Sequence, residues 1–344
     1  LDLFCEDRME GSALRRLMVR MGLMGLLLAG SQTVLAAGDG KLISTSLATN
    51  KLPSGVLEYA VWEPPGYQPG QVMPLIINLH GGGGSQDHLE SLLPAISKAM
   101  AAEDFPAAIW STPSAARSFY MNTKDGTALW ETVIVEEYLP ALMRRYGIVD
   151  RHNIVVIGVS MGGMGGLRMA FKYPEKFGAV AVLEPAIEAA LHWADVTPLD
   201  TFYREGVYPT IFGDPVDPVY WAANHPTAIA NADPRALDDL NIYFEVGDLD
   251  DLRLYRGSEF LHRVLFDHGV KHEYRLVRGA DHVSSEFMMK RFTDLLGFVN
   301  RHFNPVEAGL RSRAVKKALS LFSGGDELGP DGPLSPHREM VERK

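Results

Sequence analysis

One serine in the middle of the chain stands between two glycines, in the stretch "GVSMG" at 158–162. The stretch fits the pattern G-x-S-x-G. It follows an apolar run and precedes a segment with helical spacing, which is the strand–turn–helix context of a serine nucleophile. The glycines leave room for a strained turn, because a Cβ there would collide with the neighbouring strand or helix. The pattern predicts that Ser160 is a nucleophile whose Oγ lies near the N-terminus of the next helix, where free N–H groups can stabilise an oxyanion.

Two other interpretations of this glycine-rich stretch are a phosphate-binding loop and a close helix–sheet contact. No Lys-Ser/Thr pair follows the glycines, so nucleotide phosphates and Mg²⁺ would lack their usual ligands. The dinucleotide fingerprint also fails, because Ser160 occupies the position of its second glycine and the motif falls late in the chain. Close packing accounts for Gly165 and Gly166, but not for a serine held between two glycines.

A serine nucleophile requires a base, and the base requires an acid that fixes its tautomer. The expected order is serine, acid, histidine, each on a loop after a strand. His282 follows the last predicted strand and precedes the last predicted helix, so we predict that it is the base. Asp248, Asp250 and Asp251 are all candidates for the acid. We prefer Asp250, because a Gly-x-x-Asp turn lets the chain return toward the histidine, whereas aspartates commonly serve as turn or helix-cap residues.

A glycine loop, "HGGGG" at 80–84, follows an earlier apolar strand. Such a loop can turn a backbone N–H toward the nucleophile and help to bind the oxyanion of a tetrahedral intermediate. The predicted donors are the N–H groups of Gly82 and Met161, with Gly83 as an alternative to Gly82. His80 is expected to support the loop and not to act as a base.

The segments that carry these residues belong to a regular alternation of strands and helices between about Leu52 and Phe303. Apolar runs of strand length alternate with amphipathic helices, which predicts an α/β fold with a mostly parallel sheet covered on both faces. The alternation stops at 185–240, where Pro, Asp, Trp and Tyr are frequent, and we expect an insertion or lid there. No metal-ligand spacing such as HExxH occurs, so we predict neither a metal nor a cofactor.

Residues 1–37 have the organisation of a secretory signal peptide. After Met9 a basic segment is followed by the short apolar run "GLMGLLLAG" and then by small residues, with predicted cleavage after Ala36 or Ala37. The apolar run is too short to span a bilayer comfortably, so no stable membrane span is expected after cleavage. The sequence therefore predicts a periplasmic or secreted protein.

Composition narrows the function further. The net charge of −10 argues against a nucleic acid as partner, because phosphate binding needs concentrated Lys and Arg. The single cysteine, Cys5, precedes the predicted cleavage site, so the mature protein would lack disulfides and cysteine chemistry. We expect the catalytic domain at 38–304 and a disordered tail at 305–344, where the sequence is polar and rich in Gly and Pro.

Six segments together resemble the esterase D-type esterases of the α/β-hydrolase superfamily: "PLIINLHGGGG", "SFYMN", "WETVIVEEYLPALMRRYG", "VVIGVSMGGMGGLRMAFKYPEKFGAV", "FEVGDLDD" and "HEYRLVRGADH". That group includes S-formylglutathione hydrolases, feruloyl and acetylxylan esterases, and mycolyltransferases. The resemblance implies an α/β-hydrolase fold, a triad of Ser160, Asp250 and His282, and oxyanion donors at Gly82 and Met161. The predicted export and the "HGGGG" loop differ from S-formylglutathione hydrolases and argue against that cytosolic substrate.

These residues predict an exported serine carboxylesterase that acts through an acyl-enzyme intermediate on a small-molecule or saccharide-linked ester. An acyltransferase or a serine peptidase with the same triad is the alternative. A noncatalytic binding protein on the same fold is disfavoured by the intact Ser/Asp/His set. The acyl group and the alcohol depend on 184–240, which resembles the family least.

Overall fold

The computed structural model describes residues 40–305, except 103–104, 202–205 and 284. The predicted signal peptide and most of the predicted tail lie outside these described residues. The strands are β1 (Lys41–Ala48), β2 (Val56–Glu63), β3 (Leu75–Leu79), β4 (Ile109–Pro113), β5 (Ile154–Val159), β6 (Ala179–Leu183), β7 (Asn241–Gly247) and β8 (Glu273–Val277). They form one sheet in the order β1-β2-β4-β3-β5-β6-β7-β8.

The sheet is antiparallel at one side and parallel elsewhere. β1 pairs with β2, and β2 with β4, in antiparallel fashion, while every pair from β4 to β8 is parallel. All residues of β3, β4 and β6 are buried, as expected for parallel strands with both faces covered. The predicted α/β-hydrolase architecture with a mostly parallel sheet is confirmed.

Helices alternate with the strands and cover both faces of the sheet. They are α1 (His88–Ala101), α2 (Trp130–Thr132), α3 (Leu139–Tyr146), α4 (Met161–Lys172), α9 (Tyr255–Asp267) and α10 (Ser285–Phe303), with the intervening helices α5 to α8 described below. Successive residues of β5 belong to the two opposite cores. Val156 packs in one core with Leu167 of α4, and Ile157 packs in the other with Ile96 of α1 and Leu295 of α10. The period-2 alternation of a strand thus feeds two apolar layers.

Residues between α2 and α3 depart from regular helical geometry. The segment Val133–Tyr138 is π-helical and joins the two helices without a break. Pro140, in the first turn of α3, has no N–H to continue an uninterrupted ladder. The segment from α2 to α3 therefore departs from one regular α-helix by this local change of winding.

The segment between β6 and β7 contains short helices packed onto the sheet's own core. They are α5 (Pro198–Thr201), α6 (Tyr208–Phe212), α7 (Pro218–Ala222) and α8 (Pro226–Ala232). Tyr208, Phe212 and Trp221 are buried in the same apolar cluster as β5 and α4. The segment is therefore an insertion and not a separate domain. Across the described residues, no helix is long and apolar enough to cross a membrane.

Candidate active site

Ser160 lies on the tight turn between β5 and α4, with φ 56° and ψ −115°. Positive φ is rare for a residue with a side chain and costs on the order of 1–3 kcal/mol, so surrounding contacts must hold it. Two backbone hydrogen bonds do so. Ser160 N–H donates to Leu183 O over 2.9 Å, and Ala186 N–H donates to Ser160 O over 3.1 Å. The end of β6 therefore fixes the serine turn.

The glycines on either side of Ser160 are required by close backbone contacts. A Cβ on Gly158 would lie 2.3 Å from Gly162 O, and one on Gly162 would lie 2.0 Å from Leu79 O. A Cβ on Gly163 would lie 2.8 Å from Pro185 Cα. Backbone atoms cannot move aside as a flexible side chain can. The steric reason given for the G-x-S-x-G pattern therefore holds in the structure.

Two later glycines of α4 serve packing. A Cβ on Gly165 would lie 2.6 Å from the ring of Tyr120, and one on Gly166 would lie 3.1 Å from Val182 Cγ1 of β6. Both positions let the helix approach its neighbours closely. This is the packing role predicted for the pair.

His282 lies between the other two predicted residues of the triad. Its Nε2 is 3.1 Å from Ser160 Oγ, and its Nδ1 is 2.8 Å from Asp250 Oδ2. The second distance fits an Nδ1–H donated to the carboxylate, which leaves Nε2 as an acceptor for the serine hydroxyl. Ser160 and His282 are half-buried, so a substrate can reach both. The geometry is that of a nucleophile, a base and an orienting acid.

Asp250, of the three candidate aspartates, is the one hydrogen-bonded to His282. It is buried, and its Oδ1 accepts the N–H of Leu252 over 2.6 Å. Burial opposes its ionisation, but hydrogen bonds from His282 and from a neighbouring glutamate outweigh burial and lower the Asp250 pKa. Asp248 instead accepts the N–H of Gly279 over 2.6 Å, and Asp251 is exposed.

The glycine loop after β3 lies beside the serine. A Cβ on Gly81 would be 3.8 Å from Ser160 Cβ, so the two backbones are close neighbours. His80 is fully buried and holds the loop. Its Nδ1 bonds Gly81 O over 2.7 Å, its Nε2 accepts Ala115 N–H over 3.0 Å, and its carbonyl accepts Tyr120 O–H over 2.9 Å. Burial lowers the His80 pKa, which favours the neutral ring that this pattern requires.

Two backbone positions near Ser160 were predicted as oxyanion donors. Met161 is the first residue of α4, where N–H groups have no acceptor within the helix and carry the positive end of its dipole. Gly82 lies in the adjacent loop, and a Cβ there would meet nothing within 4 Å. Space is thus open beside Gly82 for an incoming group.

A buried acid–base cluster behind Asp250 was not predicted. Glu184, the residue directly after β6, accepts Gly247 N–H over 2.9 Å and lies 2.5 Å from Arg291 Nη1. Arg291 Nε also donates to Glu245 over 2.6 Å. A signal was present in the sequence, since "AVAVLEP" places a glutamate at the end of an entirely apolar strand. An acidic residue there is costly unless it is paired.

The same cluster is where described side chains come close enough to share a metal ion. One ligand atom each from Glu184, Asp250 and His282 lies within 4.8 Å of the others. However, the Arg291 guanidinium contacts Glu184, and His282 already bonds both Asp250 and Ser160. A cation there would be placed beside a fixed positive charge. The side chains suit a proton network better than a metal centre.

A second buried ion pair, which was also not predicted from the sequence, joins α4 to α2. Arg168 of α4 is fully buried and pairs with Glu131 of α2, which also bonds Lys172 and Tyr173. Burial opposes ionisation of Glu131, but these cations and the tyrosine outweigh it and lower its pKa to about 2. Arg168 Nε also donates to Asn224 of the insertion over 3.1 Å. One guanidinium therefore links α2, α4 and the insertion.

Comparisons with known proteins agree with this architecture. A family model described as "Putative esterase" matches residues 55–288, more than half of the chain. A search of curated proteins finds no match. Similar solved structures include a ferulic acid esterase, with 21% identity, a TM-score of 0.63, and coverage of 77% of this chain and 99% of that one.

Two further structures have the same fold. An S-formylglutathione hydrolase from Agrobacterium tumefaciens is 18% identical with a TM-score of 0.60, covering 78% of this chain and 98% of its own. A substrate-bound, fluorophosphonate-binding serine hydrolase from Staphylococcus aureus is 18% identical with a TM-score of 0.58, covering 76% and 99%. The chain belongs to the esterase family and is a carboxylic ester hydrolase with the α/β-hydrolase fold.

Proposed function

We propose that the chain is an exported serine carboxylesterase in which Ser160, His282 and Asp250 form the catalytic triad. The observation that carries the proposal is the continuous hydrogen-bonded series from Ser160 Oγ through the imidazole to Asp250, with separations of 3.1 and 2.8 Å. The strained backbone of the serine and its position at the start of α4 support the same role.

In the proposed reaction, His282 Nε2 accepts the Ser160 proton while Oγ attacks the ester carbonyl carbon. Asp250 keeps the proton on Nδ1 and stabilises the imidazolium that forms. The imidazolium then protonates the departing alcohol, which leaves an acyl-enzyme. A water molecule, activated by the same imidazole, releases the acid and restores the serine.

The tetrahedral intermediates carry a negative oxygen that needs donors. We assign this role to the backbone N–H groups of Met161 and Gly82. The helix N-terminus at Met161 and the closeness of the glycine loop to Ser160 support the assignment. Each such donor contributes on the order of 10²–10³ in kcat in serine hydrolases.

We also propose a small-molecule or saccharide-linked ester as substrate, with the periplasm or the exterior as the location. A structural relative is a ferulic acid esterase, and another is described in complex with ferulic acid. A panel of feruloyl and acetyl sugar esters is therefore the first to assay, with the free acid expected as product even when a competing alcohol is present. The proposed export requires that residues 1–37 act as a signal peptide and that the catalytic domain lies at 38–304. The mass of the exported protein tests whether residues 1–37 have been removed.

Replacing the serine tests the proposed mechanism directly. Ser160→Ala should lower kcat on a simple aryl ester by on the order of 10⁴–10⁶, because the proposed acyl-enzyme forms on Ser160 Oγ. A fluorophosphonate probe should label the wild-type protein at Ser160 and leave the variant unlabelled. An unchanged melting temperature is the control for folding. Near-normal turnover by the folded variant would refute the proposal.

A further inference from the structure

Glu184 combines two unfavourable features that normally select against a glutamate. Its backbone has φ 48°, in the left-handed region that side chains disfavour. Its side chain is fully buried, which is costly for a carboxyl group. Outliers of this kind are found where a function requires them. The question is what the carboxyl does at this position.

The residue is in direct contact with the proposed triad. Its neighbours Leu183 and Ala186 make the two backbone hydrogen bonds that hold Ser160. Its own N–H donates to Glu245 O over 2.8 Å, which anchors it to β7. Its carboxyl lies with those of Asp250 and the ring of His282 in one group, all within 4.8 Å. The carboxyl of Glu184 thus lies beside Asp250, the proposed acid of the triad.

Charge balance in this region requires a proton. Three buried carboxyl groups, those of Glu184, Glu245 and Asp250, lie in this region, and the buried guanidinium of Arg291 pairs with the first two. The half-exposed Arg275 also lies 3.9 Å from Glu245. Glu245 accepts hydrogen bonds from Arg291 Nε and from the Tyr243 hydroxyl. Asp250 accepts hydrogen bonds from His282 Nδ1 and from the backbone N–H of Leu252. Adjacent carboxylates in a buried site cannot all ionise, so one retains its proton.

The retained proton belongs on Glu184. Its Oε1 accepts from Gly247 N–H and from Arg291, but among the described residues no donor reaches Oε2. Oε2 is therefore the oxygen left to carry the proton. Asp250 is the side-chain hydrogen-bond partner of the Glu184 carboxyl. Burial and the hydrogen bond with Asp250 raise the pKa of Glu184 to about 9, against the opposing effect of Arg291.

We propose that Glu184 is a positioning residue, a proposal that rests on the proposed triad. Its protonated carboxyl donates a hydrogen bond to Asp250 and so fixes the carboxylate that orients His282. A neutral donor at this point holds the carboxylate of Asp250 in place and adds no second negative charge beside the imidazole of His282. The hydrogen bond from Glu184 also favours the ionised form of Asp250, because it contributes to lowering the pKa of Asp250. Glu184 itself touches no substrate in this scheme.

The groups that set the proton of Glu184 come from several elements. They lie on β7, β8, α10 and the loops after β7 and β8: Glu245, Tyr274, Arg291, Asp250 and His282. When pH rises past about 9, Glu184 loses its proton. A hydrogen bond then becomes a repulsion between two carboxylates, and the orientation of the imidazole is lost. Wild-type kcat should fall on this alkaline side.

Two substitutions separate this role from simple volume filling. Glu184→Gln keeps a neutral donor of the same shape and should retain kcat within about threefold. Glu184→Leu removes the donor, so it should lower kcat on the order of 10- to 100-fold and leave KM little changed. The alkaline fall near pH 9 should be absent in Glu184→Gln. In an Asp250→Asn background, Glu184→Leu should have almost no further effect, because the two residues act as one unit.

The outcomes are decisive in both directions. A Glu184→Leu protein with wild-type kcat, or a folded Glu184→Gln protein as impaired as the leucine variant, overturns the positioning role. If Glu184→Leu does not fold, the alkaline limb of Glu184→Gln decides alone, since an unchanged limb contradicts a titrating Glu184. Ser160→Ala and probe labelling of Ser160 are measured in parallel. Activity that survives Ser160→Ala refutes the triad, whatever Glu184 does.

Discussion

At the scale of single residues, the fine placement of side chains distinguishes chemistry from ordinary turn formation. Three aspartates follow β7 within four positions, and each has a different environment. Asp250 bonds His282, Asp248 bonds the loop after β8, and Asp251 is exposed. Their unequal surroundings predict unequal effects of the same substitution.

Asparagine at each of the three positions measures these differences. Asp250→Asn should lower kcat by roughly 10⁴, because an amide favours the wrong tautomer of His282. Asp251→Asn, the matched exposed control, should leave kcat and the melting temperature unchanged. Asp248→Asn keeps its acceptor oxygen for Gly279 and should stay within about threefold in kcat. A severe loss at Asp248 or Asp251 with normal activity at Asp250 would contradict the assignment of the acid.

At the scale of elements, the active site depends on how closely α4 approaches β3 and β6. The first turn of α4 passes so near β3 that Gly162 has no room for a methyl group. In an ordinary helix, alanine is more favourable than glycine by about 0.5–1 kcal/mol. The same substitution should therefore have opposite signs in two helices of this protein.

Gly162→Ala and Gly297→Ala form a matched pair. Gly162→Ala places Cβ 2.0 Å from Leu79 O and should destabilise the fold by roughly 1–3 kcal/mol, with loss of kcat as the serine turn shifts. Gly297 lies in α10, where the nearest atom to an added Cβ is the flexible end of Arg301 at 3.8 Å. Gly297→Ala should raise the melting temperature. Thermal unfolding of both variants provides the test. Equal melting temperatures of the two variants would contradict the prediction.

At the scale of the whole molecule, two buried carboxyl groups give stability opposite dependences on pH. Folding lowers the pKa of Glu131 from 4.5 to about 2, so its contribution is present above 4.5 and is lost as pH falls toward 2. Folding raises the pKa of Glu184 from 4.5 to about 9, so its contribution is complete below 4.5 and is lost as pH rises toward 9. Stability from these two groups is therefore greatest near pH 4.5.

Glu131→Gln isolates the acid-side effect. It should lower the free energy of unfolding by roughly 3 kcal/mol at pH 7, since a pKa difference of one unit corresponds to about 1.4 kcal/mol. The difference from wild type should shrink below pH 4.5. Chemical denaturation at several pH values measures it, with Asp251→Asn as an exposed control. A difference that stays constant down to pH 2 would show that charge pairing with Arg168 is not the cause.

Much of the fold and the site geometry could be predicted from sequence because the signals are local. Five consecutive residues are enough to predict the serine turn, and the alternation of apolar strands with amphipathic helices is present in the sequence. β1 escaped notice because its sequence, "KLISTSLA", alternates small polar residues and buries only Ile43. Glu184 and Arg291 were not predicted because the partners that account for them lie far away in sequence, on β7, on α10 and in the loop after β7. Pairings of this kind leave no periodic pattern in a single sequence.

The arrangement of the sheet also has a consequence for how activity appears during folding. Ser160, Asp250 and His282 follow β5, β7 and β8, and Glu184 directly follows β6, which lies between β5 and β7. These four adjacent parallel strands must therefore all align before Ser160 meets His282. A shift of one residue in any strand would turn its side chains to the opposite face. Long-range parallel pairing forms slowly. Ester hydrolysis by this protein thus reports completed strand registration, and in refolding it should return after helical structure has already formed.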